Sequence, residues 1–298
     1  MQNFYSTLAQ LDLIRVAGKD SEKLLQGQLS CDVNALSELD SCPGCLCDNK
    51  GRVLASFVLW KINQDYYLEM MPGLADTVLT HLKKYAVFYQ CEISHDNSLL
   101  NRYALAGEQA QALLEKQFQS LPPDDKTTIA LDGFYLRLVD RDQLQFELWL
   151  EPGRDFNHEN LPEAQLTHWV QLDQQRGLYH LQAEDSGRYT PQELNYDLLG
   201  HVSFTKGCYT GQEIVARMHY RGKAKKRLHA YILDSDTPPE KHEKILTQQG
   251  SSIGEVIQSF ATSQNQHHVL AISSEPDAEE LHLGHQPNCL LKALPLQH

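Results

Sequence analysis

The chain has 298 residues, 41% apolar and 22% charged, which is ordinary for a globular protein and long enough for two or three modules. It holds no run of about 18 apolar residues, and Met1-Gln2-Asn3-Phe4 lacks the basic-then-apolar shape of a signal peptide, so the expectation is a cytoplasmic protein without a membrane span. A formal charge of −13 disfavours direct nucleic-acid binding, and seven cysteines spread over a long chain argue for reduced thiols rather than a disulfide scaffold.

In chain order, residues 20–29 read as a short helix capped by Asp20. Cys42-Pro-Gly-Cys45-Leu-Cys47 contains a CxxC, but a structural zinc needs four ligands and no second CxxC exists; Cys31 is the one further thiol considered. A thioredoxin-type motif should open a helix, whereas Asn49-Lys50-Gly51 turns into a strand. These cysteines read as turn residues, with zinc or a transient cluster as the minor alternative, and no metal site is expected. Arg52 to Trp60 and Asp65 to Met70 look like strands joined at Asn63-Gln64; Leu74, Val78, Leu82 and Tyr85 share a helical face, and Val87 to Ile93 reads as a third strand.

A second unit of strand and helix follows: a strand near Tyr103 to Leu105, a helix through Ala110 to Phe118, an exposed loop at Pro122-Pro123-Asp124-Asp125, and strands Gly133 to Val139 and Leu144 to Leu150. Repeats of this kind with hairpins imply an α+β class. From Leu228 onward, short strands near Leu228 to Leu233, Gly254 to Ser259 and His268 to Ile272 alternate with Gly, Pro and acidic loops, the pattern of a small β-barrel. His267, His268, His282 and His285 lack metal-site spacing and are expected on the surface, and Asp277-Ala278-Glu279-Glu280 reads as a solvated loop.

Lys206-Gly-Cys208-Tyr-Thr210-Gly-Gln212-Glu213 is the most informative stretch. Thr210 with Glu213 forms a capping-box pattern that starts a helix near Gly211. Cys208 then lies just ahead of a helix N-terminus and beside Lys206, both of which favour thiolate. Glu213 and Arg217 have the spacing of an ion pair. The alternative is a structural clasp with an inert cysteine. From Ile214 to Leu233 there is no acidic residue, while Arg217, Arg221, Lys223, Lys225, Lys226 and Arg227 crowd together, suited either to phosphate or another short polyanion or simply to a solvated strand edge.

The eight residues from Lys206 to Glu213 resemble the signature of the YgfZ proteins, folate-binding relatives of the glycine-cleavage T-protein that assist maturation of iron–sulfur enzymes and affect tRNA modification. Gly18 to Gln28, Leu82 to Phe88, Ser186-Gly187 and Pro191-Gln192 to Asn195 resemble further family segments. The resemblance implies an aminomethyltransferase-like fold of two α+β domains plus a C-terminal small β-barrel around a central folate channel. The expected division is residues 1–50 with 155–225 as a discontinuous folate-binding domain, 51–154 as a second, and 226–298 as the barrel.

It further implies tetrahydrofolate as ligand, with Trp169, Leu11, Gln175 and Arg217 at the folate, and iron–sulfur client proteins such as tRNA-modifying enzymes as partners. Trp169 either stacks on folate or packs in the core, and Leu11 stands where relatives have a second tryptophan. Cys208 and Lys206 would carry the thiol chemistry, with Gln212, Glu213 and Arg217 in support. Where aminomethyltransferases end the matching strand with a catalytic aspartate, this chain has Ser56, which cannot serve as carboxylate. Enzymatic turnover is left open; a folate-dependent one-carbon transferase or demethylase and a tRNA-binding module are the rival readings.

Overall fold

The computed structural model describes residues 3–158, 160–222, 224–276 and 280–296. Lys223 and the acidic residues Asp277 and Glu279 lie outside the described residues. Two compact units emerge: Met1–Trp169 with His180–Arg188 and His201–Gln212, and Val170–Tyr179 with Tyr189–Gly200 and Glu213–His298.

The first unit contains β1 (Phe4–Thr7), β2 (Asp12–Ala17), α1 (Ser21–Gln28), β3 (Ser41–Cys47), β4 (Val53–Ile62), β5 (Asp65–Met70), α2 (Ala75–Ala86), β6 (Glu92–His95), β7 (Asn101–Ala106), α3 (Glu108–Phe118), β8 (Thr128–Leu131), β9 (Phe134–Asp140) and β10 (Gln145–Leu150). These strands form two five-stranded antiparallel sheets, ordered β3-β4-β5-β2-β6 and β1-β7-β10-β9-β8. The β4–β5 hairpin closes at Asn63 and Gln64 with φ of 53° and 67°, the double left-handed pair of a tight two-residue turn.

β10 is buried along its whole length because its alternate residues serve two cores. Phe146, Leu148 and Leu150 join Ala110, Leu114 and Phe118 of α3, while Trp149 packs with Trp60, Leu13 and Ile62 of the other sheet. The Trp60 and Trp149 rings stack at 4.2 Å between centroids, worth about 1 kcal/mol beyond their area burial. Two arginine–carboxylate pairs accompany them: Arg102 Nη1 to Glu69 at 2.6 Å and Arg137 Nη1 to Glu147 at 2.8 Å. Burial outweighs the Arg102 charge and pushes the Glu69 carboxyl up to about 7.

α4 (Leu166–Gln175) starts in the first unit, and its residues from Val170 onward belong to the second. α5 (Gln212–Arg221) is followed by β11 (Arg227–Asp234), β12 (Lys244–Leu246), β13 (Ser252–Ser263), β14 (Gln266–Ser273), β15 (His282–Leu283) and β16 (Gln286–Leu294). The six strands close into a barrel in the order β11-β14-β13-β12-β15-β16, filled by residues such as Tyr231, Ile245, Val256, Val269 and Leu283. The α+β class and the C-terminal barrel agree with the sequence.

Several local expectations do not survive. Asp20 makes no cap bond to α1; its Oδ2 accepts the Gln90 N–H at 2.7 Å instead. Val87 to Ile93 is not a strand: the chain leaves α2 through turns, Val87 and Phe88 are 75% and 81% exposed, and β6 begins only at Glu92. His267 and His268 are buried in β14 rather than on the surface. Cys42, Cys45 and Cys47 belong to β3, not to a turn. Strand alternation sends Cys42 to one face and Cys45 and Cys47 to the other, so the CxxC cannot gather around one ion. Among the described residues no cluster has metal-ligand geometry.

Candidate functional site

Two of the segments that carried the family likeness, the end of α1 and the stretch from Lys206 to Gly211, meet in the first unit. Lys206 is 8% exposed, and its Nζ donates to the carbonyls of Gln26 (2.8 Å), Leu29 (2.8 Å) and Cys31 (2.7 Å), gathering the chain where α1 ends. Those carbonyls have no partner within the helix, so a buried ammonium satisfies what would otherwise be orphaned acceptors. Burial draws the Lys206 ammonium down to about 8. All three N–H groups are occupied by carbonyls, so Lys206 has none left to donate to Cys208: its observed work is structural.

The rest of the loop is stitched to the same helix end. Thr210 N donates to the Gly27 carbonyl at 3.3 Å, and Thr210 Oγ1 donates to Gln28 Oε1 at 2.9 Å. His81 Nε2 of α2 lies 2.9 Å from that same Gln28 oxygen. Burial holds the His81 imidazole below its ordinary value. Tyr209 is buried beside Lys206, whose ammonium sits 5.3 Å from the ring centroid; its hydroxyl has no hydrogen-bond partner among the described residues. Burial raises the phenol, with Cys45, Cys47 and Cys31 nearby adding to the effect.

The expected capping box is not formed. Thr210 is engaged by Gln28, α5 starts at Gln212 rather than Gly211, and Glu213 is exposed. The reciprocal exchange appears instead at Thr190 and Glu193, where Glu193 N reaches Thr190 Oγ1 at 3.3 Å and Thr190 N reaches Glu193 Oε2 at 2.8 Å. Gly211 is indispensable for packing: its φ is +84°, and a Cβ there would lie 2.3 Å from the Asp48 carbonyl oxygen. Glu213 and Arg217 are both exposed, and no ion pair joins them among the described residues. Within this clamped loop Cys208 is exposed, and nothing stands within 4 Å of a Cβ built at Gly207.

The remaining candidates are placed as follows. Leu11 and Trp169 are buried in the first unit, the latter at 4% exposure, and Leu11 O accepts from Arg102 Nη2 at 2.9 Å. Gln175, at the end of α4, is exposed, whereas its neighbour Gln174 is buried with an Oε1 that finds no partner among the described residues. Ser56 is buried and its hydroxyl accepts the Leu181 N–H at 3.1 Å. In the second unit Arg227 leaves the basic run: it makes a bidentate pair with Asp197 at 2.9 and 2.8 Å and donates to Asn195 Oδ1. Arg217, Arg221, Lys225 and Lys226 remain exposed.

Sequence reading missed Gln28 as a partner of the loop and His81 as a second neighbour of the same Gln28 oxygen. The Gln26-Gly27-Gln28 end of α1 was visible only as a family segment, since nothing in local periodicity announces a contact 182 residues away.

No family model matches the chain. It is 35% identical over 223 residues to the tRNA-modifying protein YgfZ of Hamiltonella defensa, covering 73% of this chain and 66% of that protein. It is 33% identical to the protein of the same name in Klebsiella pneumoniae, covering 83% of this chain and 77% of the relative. For Colwellia psychrerythraea the identity is 30%, with 84% and 78% covered. Among solved structures, aminomethyltransferase T of the glycine cleavage system from Bartonella henselae superposes with a TM-score of 0.80 at 16% identity, over 98% of this chain and 85% of that one, so the chain has the aminomethyltransferase fold. Identity at this level over more than three quarters of two of these relatives, together with that fold, means that the chain belongs to the YgfZ family.

Proposed function

We propose that the protein binds tetrahydrofolate and supports iron–sulfur enzymes, and through them tRNA modification, by way of an exposed thiol at Cys208. The observation that carries this reading is the division of labour in the loop. Lys206, Tyr209, Thr210 and Gly211 are consumed in fastening it to α1 and the β3–β4 turn, while Cys208 is exposed on it. A thiol held on a pinned loop is oriented for a client or an oxidant at little entropic cost. Relatives named tRNA-modifying proteins support the direction of the proposal.

Within this proposal the second unit offers Gln174 Oε1, which has no partner among the described residues, and the exposed Gln175 amide for a pterin edge, and the first unit offers the apolar side chains of Trp169 and Leu11. When bound, tetrahydrofolate supplies nitrogen atoms able to carry a one-carbon unit. Arg217, Arg221, Lys225 and Lys226 suit its glutamate tail, a short polyanion that local charge can hold despite a net charge of −13. Glycine-cleavage chemistry is disfavoured, because Ser56 offers a buried hydroxyl already engaged by Leu181.

Complementation tests the proposal. In a strain lacking its own homologue, the wild type should restore iron–sulfur-dependent tRNA modification and Cys208→Ser should not, while Trp169→Ala should weaken tetrahydrofolate binding at least tenfold in titration. Full restoration by Cys208→Ser would remove the thiol from the function, and unchanged folate affinity in Trp169→Ala would remove the indole from the site.

A further inference from the structure

The other thiols of the first unit form a second arrangement that the Cys208 loop does not use. Residues 29 to 31 run antiparallel to β3, with a bridge between Leu29 and Leu46 and a bond from Ser30 N to Cys45 O at 2.9 Å. That register sets Cys31 opposite Gly44. Because Gly44 has no side chain, Cys31 Sγ occupies the vacated space, 2.7 Å from where a Cβ would stand. Cys42 projects on the same face as Gly44, two residues before it, the diagonal position across an antiparallel pair. Each thiol is the largest single influence on the other's acidity, in keeping with that placement on one face.

The pair is asymmetric. Cys31 is buried and Cys42 half-buried, so solvent solutes reach Cys42 first. The neighbouring Cys31 holds the Cys42 thiol below its ordinary value, and the Arg137 and Lys206 charges add to this, with burial and Asp32 opposing. The neighbouring Cys42, with burial, pushes the Cys31 thiol well up.

We propose that Cys42 is a thiol-modification site and Cys31 its resolving thiol, together forming a reversible dithiol that reacts with low-molecular-weight disulfides such as glutathione disulfide. Cys42 thiolate attacks one sulfur of the disulfide, forming a mixed disulfide and expelling one thiolate. Cys31 then attacks the Cys42 sulfur, losing its proton and expelling the second thiolate, so one external disulfide becomes two thiols while the protein gains one disulfide. Closing the bond draws Cys31 toward Cys42, and Cys31 is the residue whose carbonyl Lys206 holds. Oxidation therefore loads the clamp of the Cys208 loop.

The test is peptide mapping of the full chain after exposure to glutathione disulfide at neutral pH and quenching with acid and iodoacetamide. Trypsin leaves Cys31, Cys42, Cys45 and Cys47 on one peptide, since no Lys or Arg lies between Lys23 and Lys50; cleavage at Asp32 and Asp40 separates Cys31 from the other three. The wild type should give a Cys31–Cys42 link with less than a tenth of Cys42 left as glutathione adduct. Cys31→Ser should accumulate that adduct, and Cys42→Ser should leave Cys31 unmodified. A persistent adduct at Cys42 in the wild type, a Cys45–Cys47 link in its place, or reaction of Cys42 no faster than of Cys91 and Cys289 would overturn the proposal. The wild-type map decides by itself if either serine variant fails to fold.

Discussion

Replacing Lys206 by methionine keeps most of the side-chain volume and deletes the ammonium that three carbonyls share. Each charge-assisted bond is worth about 1.5–2 kcal/mol, so roughly 5 kcal/mol is removed and three acceptors, those of Leu29 and Cys31 buried, lose their donor. Against this stands the cost of keeping the ammonium out of water. Its fall from 10.5 to about 8 corresponds to about 3 kcal/mol, discounted to ~2–3 for residual solvent. The net expectation is a local destabilisation of about 2–3 kcal/mol. With two units in the chain a single unfolding transition is a poor readout, and amide hydrogen exchange is the better assay. Ser30 N, Ser203 N and Thr210 N bond across the clamp to Cys45 O, Ser30 O and Gly27 O, and these amides should exchange about 30- to 150-fold faster in Lys206→Met. The exposed Lys225→Met should change them little. Exchange within threefold of wild type at all three amides would refute the clamp.

Gly211→Ala forces a Cβ into the Asp48 carbonyl at an unfavourable φ and should cost more than about 2 kcal/mol, read as a lowered Tm with loss of protection at Thr210; an unchanged melt would contradict the packing. Cys208→Ser, at an exposed position, should leave stability within about 0.5 kcal/mol, so any functional loss can be assigned to chemistry; a large drop in Tm would point to a structural thiol. In the barrel, burial holds the His268 imidazole down to about 4, and its Nδ1 has no partner among the described residues. The folded pKa lies below the ordinary 6.5, so the unfolded chain binds more protons between pH 4 and 6.5; stability rises with pH across that window and is lost on acidification, by about 2–3 kcal/mol. Urea titrations from pH 4 to 7 should show this slope flattened in His268→Gln, and equal slopes would contradict it.

What could be read from the chain alone follows from how far each signal reaches. The β4–β5 hairpin, α2, α3 and three barrel strands were visible because period and turn chemistry are local. β3 was invisible: Cys42, Cys45 and Cys47, around Pro43 and Gly44, read as turn cysteines, yet β3 is an edge strand, where a proline is tolerated. Val87 and Phe88 misled in the opposite sense, since strand-like residues make a strand only where a neighbour pairs with them. For the site, the motif located the loop correctly but misassigned its parts. Thr210 and Glu213 have capping-box spacing, but the competing partner Gln28 comes from 182 residues away. Lys206 likewise looked like a partner for its near neighbour Cys208, while its actual acceptors lie about 180 residues upstream.

The stacked Trp60 and Trp149 also determine what light can report about this molecule. The chain has three tryptophans, and all of them, Trp169 included, lie in the first unit. Two indoles at 4.2 Å couple electronically, so near-ultraviolet circular dichroism of the native protein should carry a signature of the contact between the two sheets. The barrel contributes no indole, so its melting is silent in tryptophan emission, and a fluorescence curve measures only the unit that contains the Cys208 loop and the Cys31–Cys42 pair.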